Sequence, residues 1–362
     1  MLICNVVGAR PNFMKMAPVV AELKRRGLPQ ILVHTGQHYD ASMSQAFFTQ
    51  LGMPEPDVNL GVGSDTHARQ TARVMVSLET LCQERQPSMV IVAGDVNSTA
   101  AAALAAAKLV IPVAHLEAGL RSFDRSMPEE LNRIVTDHLS DLLLTSEESG
   151  NRNLRHEGIP ENRIRLVGNC MVDSLRRHET EAKRGRPWDS YGLNEGGYAL
   201  LTLHRPSNVD QEHKLAALMS LACRIAERIP VLFPAHPRTR ERLAQMKTQF
   251  PAGLQLCEPL PYLTFLGLMA TAKLVLTDSG GIQEETTALG VPCLTLRRNT
   301  ERPSTVEMGT NELVGDDLEL ALRSVDRILQ GDWKSGVVPP LWDGRAAERV
   351  ADAIETFMDA AR

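Results

Sequence analysis

The sequence lacks the long apolar run that a membrane-spanning helix requires. Its longest candidate, 100–114, is interrupted by Lys108, whereas a transmembrane helix needs about 20 consecutive apolar residues. No basic segment precedes an apolar stretch at the start, so we expect no signal peptide. The six cysteines are scattered, without the Cys-x-x-Cys spacing of zinc and redox sites. We therefore expect buried thiols and no metal in a cytoplasmic protein.

The sequence also lacks a positive net charge and three common sequence motifs of nucleotide and metal sites. The formal charge is −5, which argues against nucleic-acid or membrane-surface partners. No Gly-x-Gly-x-x-Gly, Walker A or His-Glu-x-x-His sequence occurs, and the first turn reads Gly8-Ala9-Arg10-Pro11-Asn12. These absences disfavour NAD redox chemistry, P-loop phosphoryl transfer and zinc hydrolysis. We expect no cofactor.

Short apolar runs alternate with longer amphipathic segments through most of the chain. In 12–26, for instance, Met16, Val19 and Leu23 share one helical face. Such alternation is typical of parallel sheets covered by helices. A polar, turn-rich stretch, 182–197, follows the first series, so we place the domain change between about 168 and 197. We predict α/β domains at 1–168 and 169–344, with the helix at 345–362 packing back on the first.

Ionisable side chains follow the predicted strands in both halves. They are Arg10 with Lys15, Asp95, Glu117, His204 with Arg205, His236 and Asp278. Caps and turns alone would favour Ser, Thr, Asn and Gly, and ligands of open α/β sheets bind beyond the carboxyl ends of the strands. The pattern predicts an active site in a cleft between the domains.

The segment 277–285 reads Thr-Asp-Ser-Gly-Gly-Ile-Gln-Glu-Glu, between a strand-like and a helix-like run. Small residues at such a turn let backbone N–H groups approach an anion, which the helix N-terminus favours. Glu285, one turn into the helix, could bind a ribose hydroxyl pair. A nucleoside diphosphate site is one interpretation. An ordinary helix cap by Asp278 or Ser279 is the other, and the segment alone leaves both open.

A series of motifs runs in order through nearly the whole chain. They are Gly8-Ala9-Arg10-Pro11 with Lys15-Met16-Ala17-Pro18, His34-Thr35-Gly36-Gln37-His38, Gly94-Asp95, His115-Leu116-Glu117-Ala118-Gly119-Leu120-Arg121, Pro128-Glu129-Glu130-Leu131-Asn132-Arg133, His204-Arg205, His236-Pro237, 278–285 and Thr300-Glu301-Arg302-Pro303. On these motifs the chain resembles the UDP-N-acetylglucosamine 2-epimerases of the non-hydrolysing bacterial type. The resemblance implies the GT-B fold, in which two Rossmann-like, doubly wound domains face each other across a cleft.

The resemblance also implies roles for individual residues. The implied catalytic set is Asp95, Glu117, Glu129 and His204. The implied substrate-binding set is Arg10, Lys15, Ser279, Gly280, Gly281 and Glu285. An adjoining allosteric or substrate region would contain Gln37, His38, Arg69, Arg205 and His236. A UDP-sugar substrate and a homodimer are further implications.

Six of these residues have a structural alternative. Glu129 could complement a helix N-terminus, and Asp95 could cap the alanine-rich helix that follows it. Glu117, in a predicted turn, could be a solvated loop charge, and Lys15 a solvated helix residue. The two histidines, at 204 and 236, could be structural.

The implied activity is C2 epimerisation of UDP-N-acetylglucosamine, or of a modified UDP-N-acetylhexosamine, for surface polysaccharide. Elimination of UDP to a 2-acetamidoglycal and its re-addition would avoid a free carbanion. A GT-B glycosyltransferase, a hydrolysing epimerase and a non-catalytic UDP-sugar sensor remain as alternatives. The chain departs from the family at Pro206-Ser207, which often reads Arg-Glu, and at Val96, which is commonly Thr.

Overall fold

The chain folds as two compact units. A computed structural model describes residues 1–37, 50–246 and 250–360, apart from the side chain of Arg10. The first unit comprises Met1–Ser174 with Pro340–Arg362, and the second comprises Leu175–Pro339. The sequence alone places the divisions after 168 and 344. That placement, and the cleft between the domains, stay predictions.

The first unit is built on a seven-stranded sheet in which all neighbouring strands are parallel. Its strands are β1 (Ile3–Val7), β2 (Gln30–His34), β3 (Val58–Asn59), β4 (Met89–Ala93), β5 (Val113–Ala118), β6 (Leu142–Thr145) and β7 (Ile164–Leu166). The order β3-β2-β1-β4-β5-β6-β7 reverses direction between β1 and β4. In doubly wound sheets, that switch point is where ligands bind.

Helices cover both faces of this sheet because their apolar stripes need a partner surface. They are α1 (Arg10–Arg25), α2 (His67–Arg85), α3 (Asn97–Lys108), α4 (Pro128–Leu139), α5 (Glu148–His156), α6 (Cys170–Arg184, which crosses the division) and the last helix, α14 (Ala346–Ala360). The alanine-rich α3 is buried along most of its length. Arg26, after α1, donates to Asp352 and Glu355 of α14 at 2.6 Å each.

The second unit repeats the plan with six parallel strands in the order β10-β9-β8-β11-β12-β13. The strands are β8 (Ala199–Thr202), β9 (Val231–Pro234), β10 (Leu254–Cys257), β11 (Leu274–Thr277), β12 (Cys293–Thr295) and β13 (Asn311–Leu313). The helices are α7 (Pro206–Val209), α8 (Glu212–Ala226), α9 (Pro237–Gln245), α10 (Tyr262–Ala270), α11 (Gly280–Leu289), α12 (Pro303–Glu307) and α13 (Leu318–Leu329). Here the order reverses between β8 and β11.

The prediction of two doubly wound, Rossmann-like units is confirmed. All six cysteines are free thiols; four are buried, whereas Cys223 and Cys257 are only half-buried. Among the described residues, no helix is both long and apolar enough to span a bilayer.

Candidate active site

The turn from β1 into α1 is tied to the end of β4 by one side chain. Ala9, at the N-cap position of α1, has no side chain that could cap the helix, and Asn12 Oδ1 accepts from the backbone N–H groups of Gly8 and Ala9 at 3.2 and 3.1 Å. Its Nδ2 donates to the carbonyl of Ala93 at 2.7 Å. The two strands that flank the switch point are thereby held together where they end.

Lys15 and Glu117 meet at this point as a buried ion pair. Their side chains are only 6% and 7% exposed, and Lys15 Nζ contacts Glu117 Oε2 directly. A Cβ on Gly94 would lie 3.1 Å from Lys15 Nζ and 3.5 Å from Glu117 Oε2, and the φ angle of Gly94 is +66°. Gly94, which has no side chain, therefore leaves room for the Lys15–Glu117 pair. Neither Lys15 nor Glu117 is the solvated charge that the sequence left open.

Glu117 occupies an irregular position in β5. The pairing of β5 with β6 shifts register between Leu116 and Ala118, and Glu117 has a φ angle of +72°. The left-handed conformation costs a residue with a side chain about 1–2 kcal/mol. Such strain and bulges concentrate at functional sites. The sequence predicts β5 to end at His115 with Glu117 in a turn; this is wrong, because β5 continues through the bulge to Ala118.

Asp95 follows Gly94 and lies against an arginine that the sequence analysis did not single out. Arg133, nearly fully buried, donates from Nη1 to Asp95 Oδ2 at 2.5 Å and from Nη2 to Glu130 Oε2 at 2.6 Å. Val96, not Asp95, is the N-cap position of α3, and it makes no side-chain cap. The capping alternative for Asp95 is therefore excluded. Its side chain is 23% exposed, which leaves it accessible to a ligand.

The two glutamates at the start of α4 have different environments. Glu130 is buried and accepts from the backbone N–H groups of Ser122 and Phe123 at 2.9 Å each. Glu129 lies half-buried in the first helical turn, directly after Pro128. The structure leaves both interpretations of Glu129 open, and its catalytic role stays a prediction.

The region predicted as allosteric in the first unit is described only in part. Gln37 is buried, and its Oε1 accepts from the backbone N–H and the hydroxyl of Ser98 at 3.1 and 2.6 Å. It therefore fastens the loop after β2 to the start of α3. Arg69 is exposed on α2. His38 and the side chain of Arg10 lie outside the described residues, and all these roles stay predictions.

In the second unit, the fully buried Asp278 follows β11 and orients His204. Asp278 Oδ1 lies 2.7 Å from His204 Nδ1, and the carboxylate accepts from the backbone N–H groups of His204 and Arg205 at 3.1 and 3.0 Å. Burial alone would raise the pKa of Asp278, but the contact with His204 and these hydrogen bonds outweigh it and lower the pKa below its ordinary value. The His204 side chain is 57% exposed, so it is accessible to a ligand.

The start of α11 is not capped by a side chain, although Asp278 and Ser279 stand where caps occur. Ser279 occupies the N-cap position without a side-chain cap hydrogen bond, and its backbone N–H donates to Thr277 Oγ1 at 3.0 Å. Asp278 is committed to His204. The capping interpretation is therefore excluded, and the first N–H groups of α11, at Gly280 and Gly281, face no capping side chain of their own turn.

Two buried arginines pack behind this turn. A Cβ on Gly280 would lie 2.6 Å from Arg302 Nη1 and 2.8 Å from Glu301 Oε1. Arg302 Nε lies 3.0 Å from Glu284 Oε2, and Arg297 Nη2 lies 2.8 Å from Glu301 Oε2. Arg205 Nη2 approaches Glu301 Oε1 at 3.6 Å. With Arg205 counted, the cluster holds three arginines against two glutamates, Glu284 and Glu301, and the excess positive charge favours an anion nearby.

Glu285 is buried one turn into α11. Tyr262 Oη donates to its Oε1 at 3.5 Å. Burial, reinforced by the negative charge of Glu284, raises the pKa of Glu285 to about 8. His236, in contrast, is exposed and serves as the N-cap of α9, where its Nδ1 accepts from Arg238 N at 3.3 Å. That contact gives His236 a structural use, and its ligand role stays a prediction.

The structure thus brings Lys15 and Glu117 together beside the Asp95 turn, and His204 beside the Ser279-Gly280 turn. It adds Arg133, Arg297 and Arg302, which sequence reasoning did not place in the site, and it shows that Asp278 orients His204. The available signals were the arginine that ends 128–133 and the one in Thr300-Glu301-Arg302-Pro303. Within the described ranges, no group of three or more His, Cys, Asp or Glu residues could hold a metal ion.

Two parallel, doubly wound sheets with polar groups at their switch points define the class of GT-B-like α/β proteins. A lipopolysaccharide outer core galactosyltransferase shares this fold at a TM-score of 0.56 and 13% identity, which shows the fold alone. The family model described as UDP-N-acetylglucosamine 2-epimerase matches residues 21–355. The chain belongs to this family, and the predicted resemblance is confirmed.

Several relatives match over nearly their whole length. The UDP-N-acetylglucosamine 2-epimerase of Methanocaldococcus jannaschii is 41% identical, with 95% of this chain and 96% of that protein aligned. The UDP-2,3-diacetamido-2,3-dideoxy-D-glucuronate 2-epimerase of Pseudomonas aeruginosa is 39% identical, over 97% of this chain and 99% of that one. The crystal structure of the M. jannaschii enzyme in complex with UDP-GlcNAc and UDP superposes with a TM-score of 0.90 at 40% identity, covering 98% of this chain and 100% of that one.

Proposed function

We propose that this protein interconverts UDP-N-acetylglucosamine and UDP-N-acetylmannosamine by inverting C2. The observation that carries the proposal is the buried Lys15–Glu117 pair beside the Asp95 turn, at the switch point of the first sheet. It occurs in a chain whose full-length relatives are named for this activity.

The chemistry requires two kinds of group. The C2 proton of the sugar is not adjacent to a carbonyl, so its direct removal as a proton would leave an unstabilised carbanion. Expulsion of UDP across C1–C2 gives a neutral 2-acetamidoglycal, and re-addition of UDP with protonation from the opposite face completes the inversion. Acid/base groups are then needed near C2, and positive groups near the departing diphosphate.

The carboxylates of the first unit are proposed as the acid/base groups. Lys15 provides a cation for Glu117, and Arg133 provides one for Asp95. With two carboxylates, one can remove the C2 proton while another returns it from the other face. Glu129, at the start of α4, is proposed as the third member of the set.

The second unit is proposed to hold UDP. The diphosphate would bind at Ser279, Gly280 and Gly281, where the start of α11 has no side-chain cap and offers the backbone N–H groups of Gly280 and Gly281. His204, oriented by Asp278, would donate to the leaving oxygen. Glu285, buried beside Tyr262, would accept from the ribose hydroxyls. Arg10 and Lys15 are proposed to contribute further positive charge to the diphosphate.

The substrate could carry further substituents. A relative 39% identical is named for a UDP-diacetamido-glucuronate, and Pro206-Ser207 in this chain begins α7 immediately after Arg205. A modified UDP-N-acetylhexosamine is therefore the second candidate. We also propose, from the family, a cytoplasmic homodimer that acts without a cofactor and supplies surface polysaccharide.

Incubation with UDP-N-acetylglucosamine in D₂O, followed by NMR, tests the proposal. We expect deuterium at C2 in both epimers with UDP still attached. Free N-acetylmannosamine would indicate a hydrolysing enzyme, and sugar consumed only with an added acceptor would indicate a glycosyltransferase. Asp95→Asn should keep UDP binding while exchange at C2 collapses. Unchanged exchange would remove Asp95 from the mechanism.

A further inference from the structure

A buried polar network lies next to the two turns of the first unit that carry Asp95 and Glu117. His115, Arg121 and Asp137 are each at most 3% exposed. Asp137 Oδ1 lies 2.6 Å from His115 Nδ1, and Asp137 Oδ2 lies 2.7 Å from Arg121 Nη1. Arg121 is fixed in turn by Glu157, to whose two oxygens it donates at 2.7 and 2.8 Å.

The network brackets the bulge that carries Glu117. Asp137 holds His115 on one side of Glu117, and on the other side its Oδ2 accepts from the backbone N–H of Gly119 at 3.1 Å. One carboxylate therefore holds β5 before the bulge, at His115, and the residue that directly follows β5, Gly119. A residue keeps a strained backbone conformation only where several surrounding contacts hold it there, and Asp137 provides two of these contacts.

The same network reaches the Asp95 turn. His115 Nε2 lies 2.8 Å from the carbonyl of Gly94, the residue directly before Asp95. Both ring nitrogens of His115 thus face oxygen atoms, one on Asp137 and one on the Asp95 turn. Burial would raise the pKa of Asp137, but its interactions with His115 and Arg121 outweigh burial and lower the pKa overall. Asp137 is then available as an acceptor to every donor around it.

We propose that Asp137 and His115 are positioning residues that set the spacing between the Asp95 and Glu117 carboxylates. Neither contacts the sugar in this proposal; each acts through the backbone of a carboxylate-bearing turn. The inference rests on the proposed epimerisation, since the spacing matters only if both carboxylates act on one substrate carbon. Displacing a catalytic group by about 1 Å can cost about 100-fold in rate.

Asp137→Ala is the direct test, with kcat and KM read from epimerisation of UDP-N-acetylglucosamine. We expect kcat to fall about 100-fold with KM within about threefold, because the UDP contacts proposed in the second unit are untouched. Asp137→Asn should restore most of kcat. Its amide oxygen can still accept from Gly119 and Arg121, and its amide nitrogen can donate to a neutral His115 that keeps its bond to Gly94.

A matched control separates positioning from simple support of the strand. Asp141 Oδ2 accepts from the backbone N–H of Val113 at 3.0 Å, at the opposite end of β5. Asp141→Ala should lower thermal stability but leave kcat unchanged. If Asp137→Ala does not fold, His115→Asn carries the test, because its amide mimics Nδ1 and loses only the contact with Gly94. We expect it to lose about tenfold in kcat at constant KM.

The outcomes are distinguishable. Folded Asp137→Ala or His115→Asn with the kcat of the parent protein overturns the positioning role, as does a loss that Asp141→Ala reproduces. A parent protein that leaves C2 unexchanged in D₂O overturns the proposed function itself, and with it the premise of shared action by the two carboxylates.

Discussion

Replacement of Gly280 by alanine probes the proposed diphosphate site with a single methyl group. Gly280 is the first residue of α11, and a Cβ there would lie 2.6 Å from Arg302 Nη1 and 2.8 Å from Glu301 Oε1. Both partners are buried, and Arg302 is also held by Glu284 at 3.0 Å. The methyl group therefore cannot be accommodated unless the arginine, the turn or both move.

Two opposing effects determine how Gly280→Ala changes the free energy of unfolding. Alanine at a helical position gains about 1 kcal/mol over glycine, whereas overpacking a dense site costs about 1–3 kcal/mol. We expect the free energy of unfolding to fall by about 1 kcal/mol. UDP binding should suffer more, because the N–H groups of Gly280 and Gly281 and the buried arginines shift together. A tenfold rise in the dissociation constant corresponds to about 1.4 kcal/mol, and we expect at least that.

Gly290→Ala at the other end of α11 is the matched control. Gly290 has a φ angle of +74° and nothing within 4 Å of its Cβ position, so alanine there costs about 1 kcal/mol of strain without a clash. Titration calorimetry with UDP and urea denaturation measure both variants. We expect comparable stabilities but weakened UDP binding only for Gly280→Ala. UDP affinity equal to that of the parent protein in Gly280→Ala would refute a diphosphate site at this turn.

Two further predictions concern buried charges. Glu285 has a pKa of about 8 in the folded protein against an ordinary 4.5, so between these values the folded state keeps a proton that the unfolded chain has lost. The free energy of unfolding should therefore fall across this range, by at most about 5 kcal/mol. In Glu285→Gln, the free energy of unfolding measured by urea denaturation should depend less on pH over this range. An unchanged pH dependence would contradict the raised pKa of Glu285. Lys15→Met should cost about 3–5 kcal/mol, since Glu117 loses its buried cation, and Glu117→Gln in that background should recover much of it; strictly additive losses would argue against the pairing.

The parallel, helix-covered sheets of both units could be predicted from the sequence because their causes are local, whereas the doubly wound order was implied only by the family resemblance. Apolar runs of strand length alternate with amphipathic segments such as 12–26, and a right-handed crossover between parallel strands leaves few topologies. The ends of those strands meet at one sheet edge by geometry alone. Asp95 and Glu117 could therefore be nominated together without knowledge of a single side-chain contact.

The partners of these groups could not be predicted, because they depend on long-range packing. Glu117 meets a lysine 102 positions away, and no pattern along the chain encodes that pairing. The bulge at Glu117 also escapes sequence reasoning. The Glu117 φ angle of +72° is a conformation that glycine adopts readily, and nothing in the sequence marks a glutamate for it. The N-terminus of α11 is a second feature that the sequence does not reveal. Asp278 is a residue type that often caps helices and stands at a capping position, but its carboxylate holds His204 instead.

The buried ion pairs at these strand ends are better explained by function than by stability. Removing two charges from water costs several kcal/mol, and apolar residues of similar size are often as stable or more so. Yet Lys15 pairs with Glu117 in one unit, and Arg302 pairs with Glu284 in the other, each at a carboxyl end of its sheet and each almost fully buried. Such pairs contribute little to folding but hold charged groups in fixed positions. Elimination and re-addition of a diphosphate would require this, because preorganised charge stabilises a transition state without reorganising during the reaction.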